Sequence, residues 1–571
     1  MLIAGLVLLA ALSLYLPALE IGFLSDDFLD LEHSFDPGTF TRFEAGGFRP
    51  LTVAVWAFDS AAYGPGRAWG WHLTNLLLHL LCASALILLL RSLGLRPRGL
   101  LAAAALFLLS PAVIPSAARV SGRTTIIALL PLLLAFRLHV RWERGRRRSI
   151  LLLAGAQLLY LGSLLAKETA LLDPLCFAGL SLYLAEDDRG RIRKSLQALA
   201  LYLLPVAVYA AWRLLAVGLA LGYGESARFG PFMLKNATML VRMTVSPWLD
   251  GIPLRILLLL ALAAVLALHR HWRKLVPAAL LVLPLVLTVS NLPPRSYYAY
   301  AALPGAALCA GLAADRLAGW RWSLVLAVLL AGCFLEARDE LGRLRAADAY
   351  TETTTDRLAG LARTHPDMLI AVSGIREGVA DYGTLWPGAY REALITRGVH
   401  PSTPPVRAGR MWEAAHVAMR RGEMLTVLFA DLSATPAKLD TFAVDSRLWG
   451  SSGLPDTTLS IGPHGIGVDE DLWRYNSCRV WPAGPDSRLL LVSGEDACHG
   501  IAPHHLAADS AYFDLESTPT WLINDLPIRV VCGDAAGDSV MIRFSFERLY
   551  LDELQERIDR KRMEREASGQ R

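Results

Sequence analysis

The run WHLTNLLLHLLCASALILLL, residues 71–90, contains no Asp, Glu, Lys or Arg and is long enough to cross a membrane as one helix. Its polar residues His72, Asn75 and His79 are three and four positions apart, so a helix places them on one face. Similar apolar stretches recur through residues 1–336, whereas residues 337–571 contain none of spanning length. The sequence therefore predicts a polytopic α-helical membrane domain over 1–336, followed by a soluble domain over 337–571.

The composition agrees with this division. Of the 571 residues, 54% are hydrophobic and 19% are charged, whereas soluble domains carry about 25% charge. These values exclude a wholly soluble enzyme, a disordered chain and a disulfide-rich secreted scaffold. We predict eleven membrane spans, near residues 2–19, 73–90, 100–117, 124–140, 150–166, 169–185, 196–218, 253–268, 275–290, 298–314 and 322–336.

Basic loops predict the orientation. Every second short loop is rich in Arg and Lys, namely 91–98, 141–148, 189–194, 270–274 and 316–321. Because such loops stay cytoplasmic, we expect a cytoplasmic N-terminus and place the other loops and the C-terminal domain outside. The protein is therefore expected in a membrane, most simply the inner membrane of a bacterium.

The extracytoplasmic parts have recognisable local patterns. The first outer loop, about 20–71, is acidic, and its apolar run after Pro50 predicts a short helix on the membrane surface. A longer helix is expected over 337–365. Beyond it, strands and helices predict an α/β or α+β domain that ends in a charged helix at about 547–566. The strands are predicted at 368–372, 424–429, 488–492, 528–532 and 540–546, and the helices at 390–397 and 411–421.

Ionisable side chains gather at the outer ends of the spans, where they are costly and tend to be functional. Basic groups at such a surface can hold the phosphate of a polyprenyl-phosphate sugar, and a carboxylate can deprotonate an acceptor hydroxyl. Structural roles are also open for several of them: solvation for Asp26 and Asp27, a local ion pair for the Lys-Glu dipeptide, and helix contacts for the polar helix face. The candidate residues are Asp26, Asp27, His72, Asn75, His79, Arg123, Lys167, Glu168, Arg213, Arg295, Tyr297 and Tyr298.

Six motifs in order resemble GT-C-fold glycosyltransferases, in particular the protein O-mannosyltransferases and their relatives with tetratricopeptide tails. They are FLSDDF (23–28), FRPL (48–51), HLTNLLLH (72–79), SGRT (121–124), AKET (166–169) and RSYY (295–298). The resemblance implies an integral membrane glycosyltransferase that takes its sugar from a polyprenyl phosphate and inverts the anomeric centre. It implies Asp26 as the base, with Asp27 as its helper or as the base itself.

The resemblance leaves several points open. Candidates for the donor phosphate or the substrate include Arg49, Arg123, Lys167, Arg213 and Arg295. The family often has His and Glu before its Gly-Arg motif, where this chain has Ser110 and Pro115, and the tail lacks tetratricopeptide repeats. The acceptor is therefore open among protein, glycan and lipid, and the sugar is a hexose such as mannose or another monosaccharide.

Other classes of ligand and function receive less support from the sequence. No metal is assigned, although Asp26 and Asp27 could hold a divalent cation, and no nucleic-acid partner is expected. Cys478, Cys498 and Cys532 allow at most one internal disulfide, whose pairing is undetermined. The alternative function is a non-enzymatic transporter or a transferase-like scaffold that binds a partner. A transporter places polar groups in the middle of broken spans, whereas here they lie at the outer ends.

Overall fold

The computed structural model describes residues 2–35, 48–145, 149–185, 190–217, 296–316 and 320–376 with side chains over most of their length. It also describes parts of 378–445 and separate strands between 459 and 542. Outside these residues lie the predicted spans 253–268 and 275–290, the predicted helices 411–421 and 547–566, and the side chains of Cys478, Cys498 and Cys532.

Most of the N-terminal part is helical. The helices are α1 (Leu2–Tyr15), α2 (Asp27–Phe35), α3 (Pro50–Tyr63), α4 (Ala68–Ser92), α5 (Pro97–Leu109), α6 (Ile114–Ala117), α7 (Arg123–Arg144), α8 (Ile150–Ala166), α9 (Asp173–Leu184), α10 (Arg191–Val217), α11 (Leu303–Arg316), α12 (Trp320–Thr364) and α13 (Tyr390–Thr396). Short 3₁₀ helices cover Leu16–Glu20, Pro111–Val113, Glu168–Leu172 and Ser296–Ala302.

Local sequence explains where several helices begin and end. Proline opens α3 and α5, where its missing N–H has no intrahelical partner. Glycine follows α3 at Gly64, whose φ of +76° suits a residue without a side chain. The predicted short helix after Pro50 is therefore present, and it extends to Tyr63.

Three described helices are long and apolar enough to cross a membrane: Ala68–Ser92, Arg123–Arg144 and Arg191–Ala216. A bent pair, Pro97–Leu109 and Pro111–Ala117, could make a fourth span with a 53° bend. Helices also occupy the other predicted spans within the described part of the chain, but they are shorter or contain more charge. The count of eleven spans therefore stays a prediction.

Aromatic packing joins the helices that follow α6. The rings of Phe177 on α9 and Tyr202 on α10 stack with centroids 3.5 Å apart, and Phe136 of α7 packs on Phe177 at 4.6 Å. Tyr160 of α8 lies against Phe177 as well. All four rings belong to one buried cluster, so four helices share one apolar core, the expected source of stability for an amphipathic bundle.

One continuous helix, α12, passes through the predicted boundary at 336/337. It contains both the predicted last span, 322–336, and the predicted helix that follows it. Contacts divide the chain into one unit of Met1–Thr355 with Arg376–Gly398 and a second of Asp356–Ile375 with Val399–Arg571. The segment 376–398 thus belongs to the first unit, because it folds back along α12 and the first outer loop.

The second unit contains the described strands that follow α12, apart from β2 (Gly378–Val379) and β3 (Tyr382–Gly383). Its first sheet has the order β4 (Val406–Arg407), β1 (Leu369–Ser373), β5 (Met424–Asp431) and β6 (Lys438–Asp445), with β1 parallel to β4 and β5, and β6 antiparallel to β5. Two further sheets pair antiparallel strands, whereas β2 and β3 form a small ladder in the first unit. The strands are β1 (Leu369–Ser373), β2 (Gly378–Val379), β3 (Tyr382–Gly383), β4 (Val406–Arg407), β5 (Met424–Asp431), β6 (Lys438–Asp445), β7 (Leu459–Ile461), β8 (His464–Gly467), β9 (Ser477–Trp481), β10 (Leu489–Ser493), β11 (Ala497–Ile501), β12 (Pro503–Ala507), β13 (Ser510–Asp514), β14 (Ile528–Val531) and β15 (Ser539–Ile542).

Candidate functional site

The two carboxylates of the acidic motif have different surroundings. Asp27 is fully buried, and its Oδ2 and Oδ1 accept hydrogen bonds from the backbone N–H groups of Leu24 and Ser121, at 3.0 and 2.6 Å. Asp27 therefore ties the first outer loop to the turn that precedes α7. Because backbone donors occupy both of its oxygens, Asp27 is suited to holding the loop in place.

Asp26 is the more accessible carboxylate of the pair. It is half-buried, and the described side-chain partner of its carboxylate is the Ser25 hydroxyl, at 3.4 Å. Ser25 has a φ of +50°, an uncommon conformation for a residue other than glycine, and its N–H donates to the Thr384 carbonyl at 2.7 Å. The segment that contains Thr384 thus fixes the backbone immediately before Asp26.

A third carboxylate, Asp30, lies one helical turn beyond Asp26. Its N–H donates to the Asp26 carbonyl at 3.2 Å, and its side chain is buried. Burial raises the pKa of the Asp30 carboxyl well above its usual range, and the charges of Asp27 and Asp26 raise it further. Arg123 and Arg119 act in the opposite direction. Asp30 therefore holds its proton to higher pH than an ordinary surface carboxylate does.

The polar face of α4 connects three segments of the protein. His72 Nε2 lies 3.3 Å from the Gly22 carbonyl oxygen, and Asn75 Nδ2 donates to the Arg119 carbonyl at 2.6 Å. Deeper in the bundle, His79 Nδ1 lies 2.8 Å from the Tyr300 hydroxyl. These contacts match the helix-joining alternative for His72 and Asn75, and substrate binding by the three residues stays a prediction.

Arg123, the first residue of α7, makes a fully buried ion pair with Asp59 of α3. Its second terminal nitrogen donates to the Trp71 carbonyl at 2.9 Å, and its guanidinium lies 5.5 Å from the centroid of the Trp71 ring. The preceding Gly122 packs so closely that a Cβ there would overlap the Pro115 carbonyl oxygen. The Gly-Arg motif thus anchors the start of α7, and the contacts of Arg123 favour a structural role over phosphate binding.

Arg49 and the Lys-Glu dipeptide form a basic cluster. Arg49 Nε and Nη2 donate to the two carboxylate oxygens of Glu168, at 2.9 and 2.5 Å. Lys167 Nζ donates to the Thr125 and Thr124 hydroxyls at 2.6 and 3.3 Å. Glu168 therefore pairs with Arg49 rather than with its neighbour Lys167, which corrects the local pairing considered as an alternative.

The charges of this cluster perturb one another. Burial and the charge of the adjacent Arg49 together lower the pKa of Lys167 to about 7, against the opposing charge of Glu168. Burial acts to raise the pKa of Glu168, but the charge and hydrogen bonds of Arg49 outweigh it, and the pKa falls to about 2. Glu168 is therefore ionised at neutral pH, whereas Lys167 is close to its titration midpoint.

Of the remaining predicted cations and tyrosines, the structure describes the side chains of Tyr298 and Arg213. The Tyr298 ring lies 4.8 Å below Lys167 Nζ, within range of a cation–π contact. Arg213 lies within electrostatic reach of Tyr209, as do Arg49 and Glu168, so it belongs to the same side of the bundle. Arg295 and the Tyr297 side chain lie outside the described residues.

The start of α7 brings the acidic and basic groups together. Within five residues, Ser121 N–H binds Asp27, Arg123 binds Asp59, and the Thr124 and Thr125 hydroxyls bind Lys167. Asp27 of the acidic motif and Lys167 of the basic cluster therefore contact the same short chain segment. Cations placed near such a segment can stabilise an anionic leaving group.

Several site residues were not predicted from the sequence. Asp59 follows the apolar run of α3, and an ionisable residue in such a helix needs a buried partner. That signal could have found its pairing with Arg123. For Arg119 and Asp30, no comparable signal in the sequence indicated a place in the site. Among the described residues, no group of three or more His, Cys, Asp or Glu side chains could hold a metal ion.

The chain is similar to known transferases. Protein O-mannosyl-transferase Tmtc2 of Drosophila melanogaster is 34% identical over 158 residues, 26% of this chain and 16% of that protein. Protein O-mannosyl-transferase Tmtc1 of the same organism is 34% identical over 126 residues, 22% of this chain and 14% of that protein. The resemblance predicted from the motifs is confirmed. The chain covers less than one fifth of the length of either relative, and no family model matches it.

The chain is also similar to solved structures. ArnT from Cupriavidus metallidurans, solved bound to undecaprenyl phosphate, matches 75% of this chain and 92% of its own, with a TM-score of 0.48 and 14% identity. Arabinofuranosyltransferase AftD from Mycobacteria matches 75% of this chain and 35% of its own, with a TM-score of 0.46 and 15% identity.

Proposed function

We propose that the chain is a membrane glycosyltransferase that moves a monosaccharide from a polyprenyl phosphate to an acceptor hydroxyl on the extracytoplasmic face. The observation that carries this proposal is that Asp27 binds Ser121 while Lys167 binds Thr124 and Thr125, so the acidic motif and the basic cluster contact the same segment at the start of α7. The similarity to two proteins named O-mannosyl-transferases supports glycosyl transfer as the reaction class.

In the proposed reaction, Asp26 is the general base. Its carboxylate takes the proton of the acceptor hydroxyl, and the hydroxyl oxygen forms a bond to the anomeric carbon of the sugar. The bond from that carbon to the phosphate oxygen breaks, and the electron pair leaves with the polyprenyl phosphate. Attack on the face opposite the phosphate inverts the anomeric centre. Asp27 holds the loop of Asp26 rather than moving the proton.

Arg49 and Lys167 are the proposed ligands of the donor phosphate. Arg49 presents a fork that already binds a carboxylate in two-point fashion, a geometry that a phosphate can replace. Lys167 adds a second positive charge beside it. The two cations stabilise the charge that grows on the phosphate as it leaves.

The test compares Asp26→Asn with Asp27→Asn in membranes supplied with radiolabelled polyprenyl-phosphate hexoses and pentoses. We expect Asp26→Asn to keep its fold and lose transfer by about a hundredfold or more, the range of general-base catalysis. Asp27→Asn should lose thermal stability as well as activity. Reactions run with EDTA, Mg²⁺ or Mn²⁺ test whether the acidic pair uses a divalent cation. Full transfer by Asp26→Asn, or none by the parent protein, contradicts the proposal.

A further inference from the structure

Two charged side chains near Asp26 have polar atoms without a partner in the described part of the chain. Asp30 is 7% exposed and its Oδ2 accepts no hydrogen bond, whereas Arg119 is 9% exposed and its Nε donates none. Buried polar atoms in native proteins are nearly always hydrogen-bonded. The two atoms without a partner therefore indicate a ligand that forms the missing hydrogen bonds.

Both side chains are held in place by their surroundings. The Arg119 carbonyl accepts from Asn75, its guanidinium donates to the Ser121 hydroxyl at 3.2 Å, and the Tyr382 ring centroid lies 6.0 Å from the guanidinium carbon. Asp30 is fixed by its position on α2, whose first residue, Asp27, is bound at both oxygens. A site that is rigid before its ligand arrives has the property expected of a binding site.

The two side chains have complementary chemistry. Asp30 and Arg119 form no ion pair with each other among the described contacts, yet Arg119 is near enough to lower the pKa of Asp30. A hydroxyl group can donate to a carboxyl oxygen and accept from a guanidinium N–H. A ligand with several neighbouring hydroxyls therefore satisfies both side chains together.

The spacing from the proposed base indicates how large that ligand is. Asp26 and Asp30 are four residues apart and joined by a helical hydrogen bond, so their Cβ atoms are about 5–6 Å apart. This separation is similar to the width of a six-membered sugar ring. One hydroxyl of such a ring can reach Asp26 while another, across the ring, reaches Asp30.

We propose that Asp30 and Arg119 bind the acceptor, and that the acceptor is a carbohydrate rather than a serine or threonine side chain. This inference rests on the proposed function, which supplies Asp26 as the base. It assigns the Asp30–Arg119 pair to the acceptor and the Arg49–Lys167 cluster to the donor.

The first experiment identifies the product. Membranes from the native cells, with the protein present or deleted, are incubated with radiolabelled polyprenyl-phosphate sugars. We expect the protein-dependent label to resist both protease digestion and alkaline β-elimination, as a sugar–sugar linkage does. Label that β-elimination releases from protein overturns the inference while leaving the proposed function intact. An absence of protein-dependent label overturns both.

The second experiment separates acceptor from donor binding. Asp30→Asn replaces the carboxyl group with an amide and Arg119→Gln removes the guanidinium, so each variant changes one hydrogen-bond partner of the acceptor, and we expect the acceptor KM to rise about tenfold or more. The donor KM should change by less than about twofold. Arg119→Lys retains the charge and should recover part of the loss. Arg345→Gln, which removes an exposed cation on the same side, is the matched control. An unchanged acceptor KM in folded Asp30→Asn and Arg119→Gln contradicts the assignment.

Discussion

Two of the ion pairs in the described part of the chain join the first outer loop to the rest of the bundle and differ in exposure. Arg123 and Asp59 are both fully buried, whereas the side chains of Arg49 and Glu168 are 16% and 31% exposed. The sequence motifs nominated both arginines for the donor phosphate. The structure distinguishes them by how far each is from solvent.

Exposure decides whether an ion pair can exchange its partner. Removing one charge of a buried pair leaves the other without compensation, so Arg123 cannot leave Asp59 without a large cost. Arg49 is closer to water and can pass from the Glu168 carboxylate to a phosphate of similar geometry. We therefore expect the buried pair to maintain the fold and the partly exposed pair to exchange its carboxylate for the donor phosphate.

The largest expected effect is on stability, from breaking the buried pair. Arg123→Gln or Asp59→Asn should lower the free energy of unfolding by about 3–5 kcal/mol, because each variant leaves the other charge of the pair buried without its partner. Thermal unfolding of the detergent-solubilised protein measures this loss. The double variant Asp59→Leu/Arg123→Met removes both charges and should recover much of the stability. A stable Arg123→Gln protein with weakened donor binding shows instead that Arg123 is a phosphate ligand.

The next largest effect is expected on donor binding, when the partly exposed Arg49–Glu168 pair is broken. Arg49→Gln should raise the donor KM by about 10–100-fold, the loss of one or two charged hydrogen bonds. Arg49→Lys retains the charge but not the two-point geometry, so its donor KM should lie between those of the wild type and Arg49→Gln. Titration of the polyprenyl-phosphate donor at saturating acceptor measures the donor KM of both variants. If Arg49→Gln changes the acceptor KM instead, the donor does not bind at this cluster.

The sequence predicted the helices better than the roles of individual side chains. The length of an apolar run and the proline or glycine at the end of a helix are local properties of the sequence. The helices α3, α4, α7 and α8 therefore lie close to where they are predicted. The continuity of α12 was not predictable in the same way. Its apolar and polar halves differ in composition, although one helix can cross from lipid to water without a break.

The site was predictable where a motif specified the residue type and not where the partner was distant in sequence. The carboxylates Asp26 and Asp27 stand together in the sequence, but their surroundings differ, because Asp27 binds the backbone N–H of Ser121, which is 94 residues away. Asp59 is 64 residues from Arg123, and Arg119 is 263 residues from Tyr382. Such pairings depend on how the chain folds back, which residue spacing alone does not encode.

A smaller effect is expected on the pH dependence. Because the pKa of Lys167 is lowered to about 7, the ammonium is charged below that pH and is lost as the pH rises through it. The donor KM should therefore increase above pH 7, by up to about tenfold per pH unit. Lys167→Arg keeps its charge throughout and should move this rise to higher pH. A wild-type donor KM that is constant from pH 6 to 9 contradicts a role for Lys167 in phosphate binding.

The smallest effect is expected from a third ion pair, which extends the comparison to the surface. Arg345 and Glu20 are 45% and 81% exposed and lie 3.2 Å apart, and Arg345 also donates to the Pro17 carbonyl at 3.1 Å. Exposed pairs contribute about 0–1 kcal/mol, since water already solvates both charges. Arg345→Gln should thus change neither the unfolding temperature nor the donor KM measurably. If it weakens donor binding as much as Arg49→Gln, general surface charge, rather than the geometry of the Arg49 fork, attracts the phosphate.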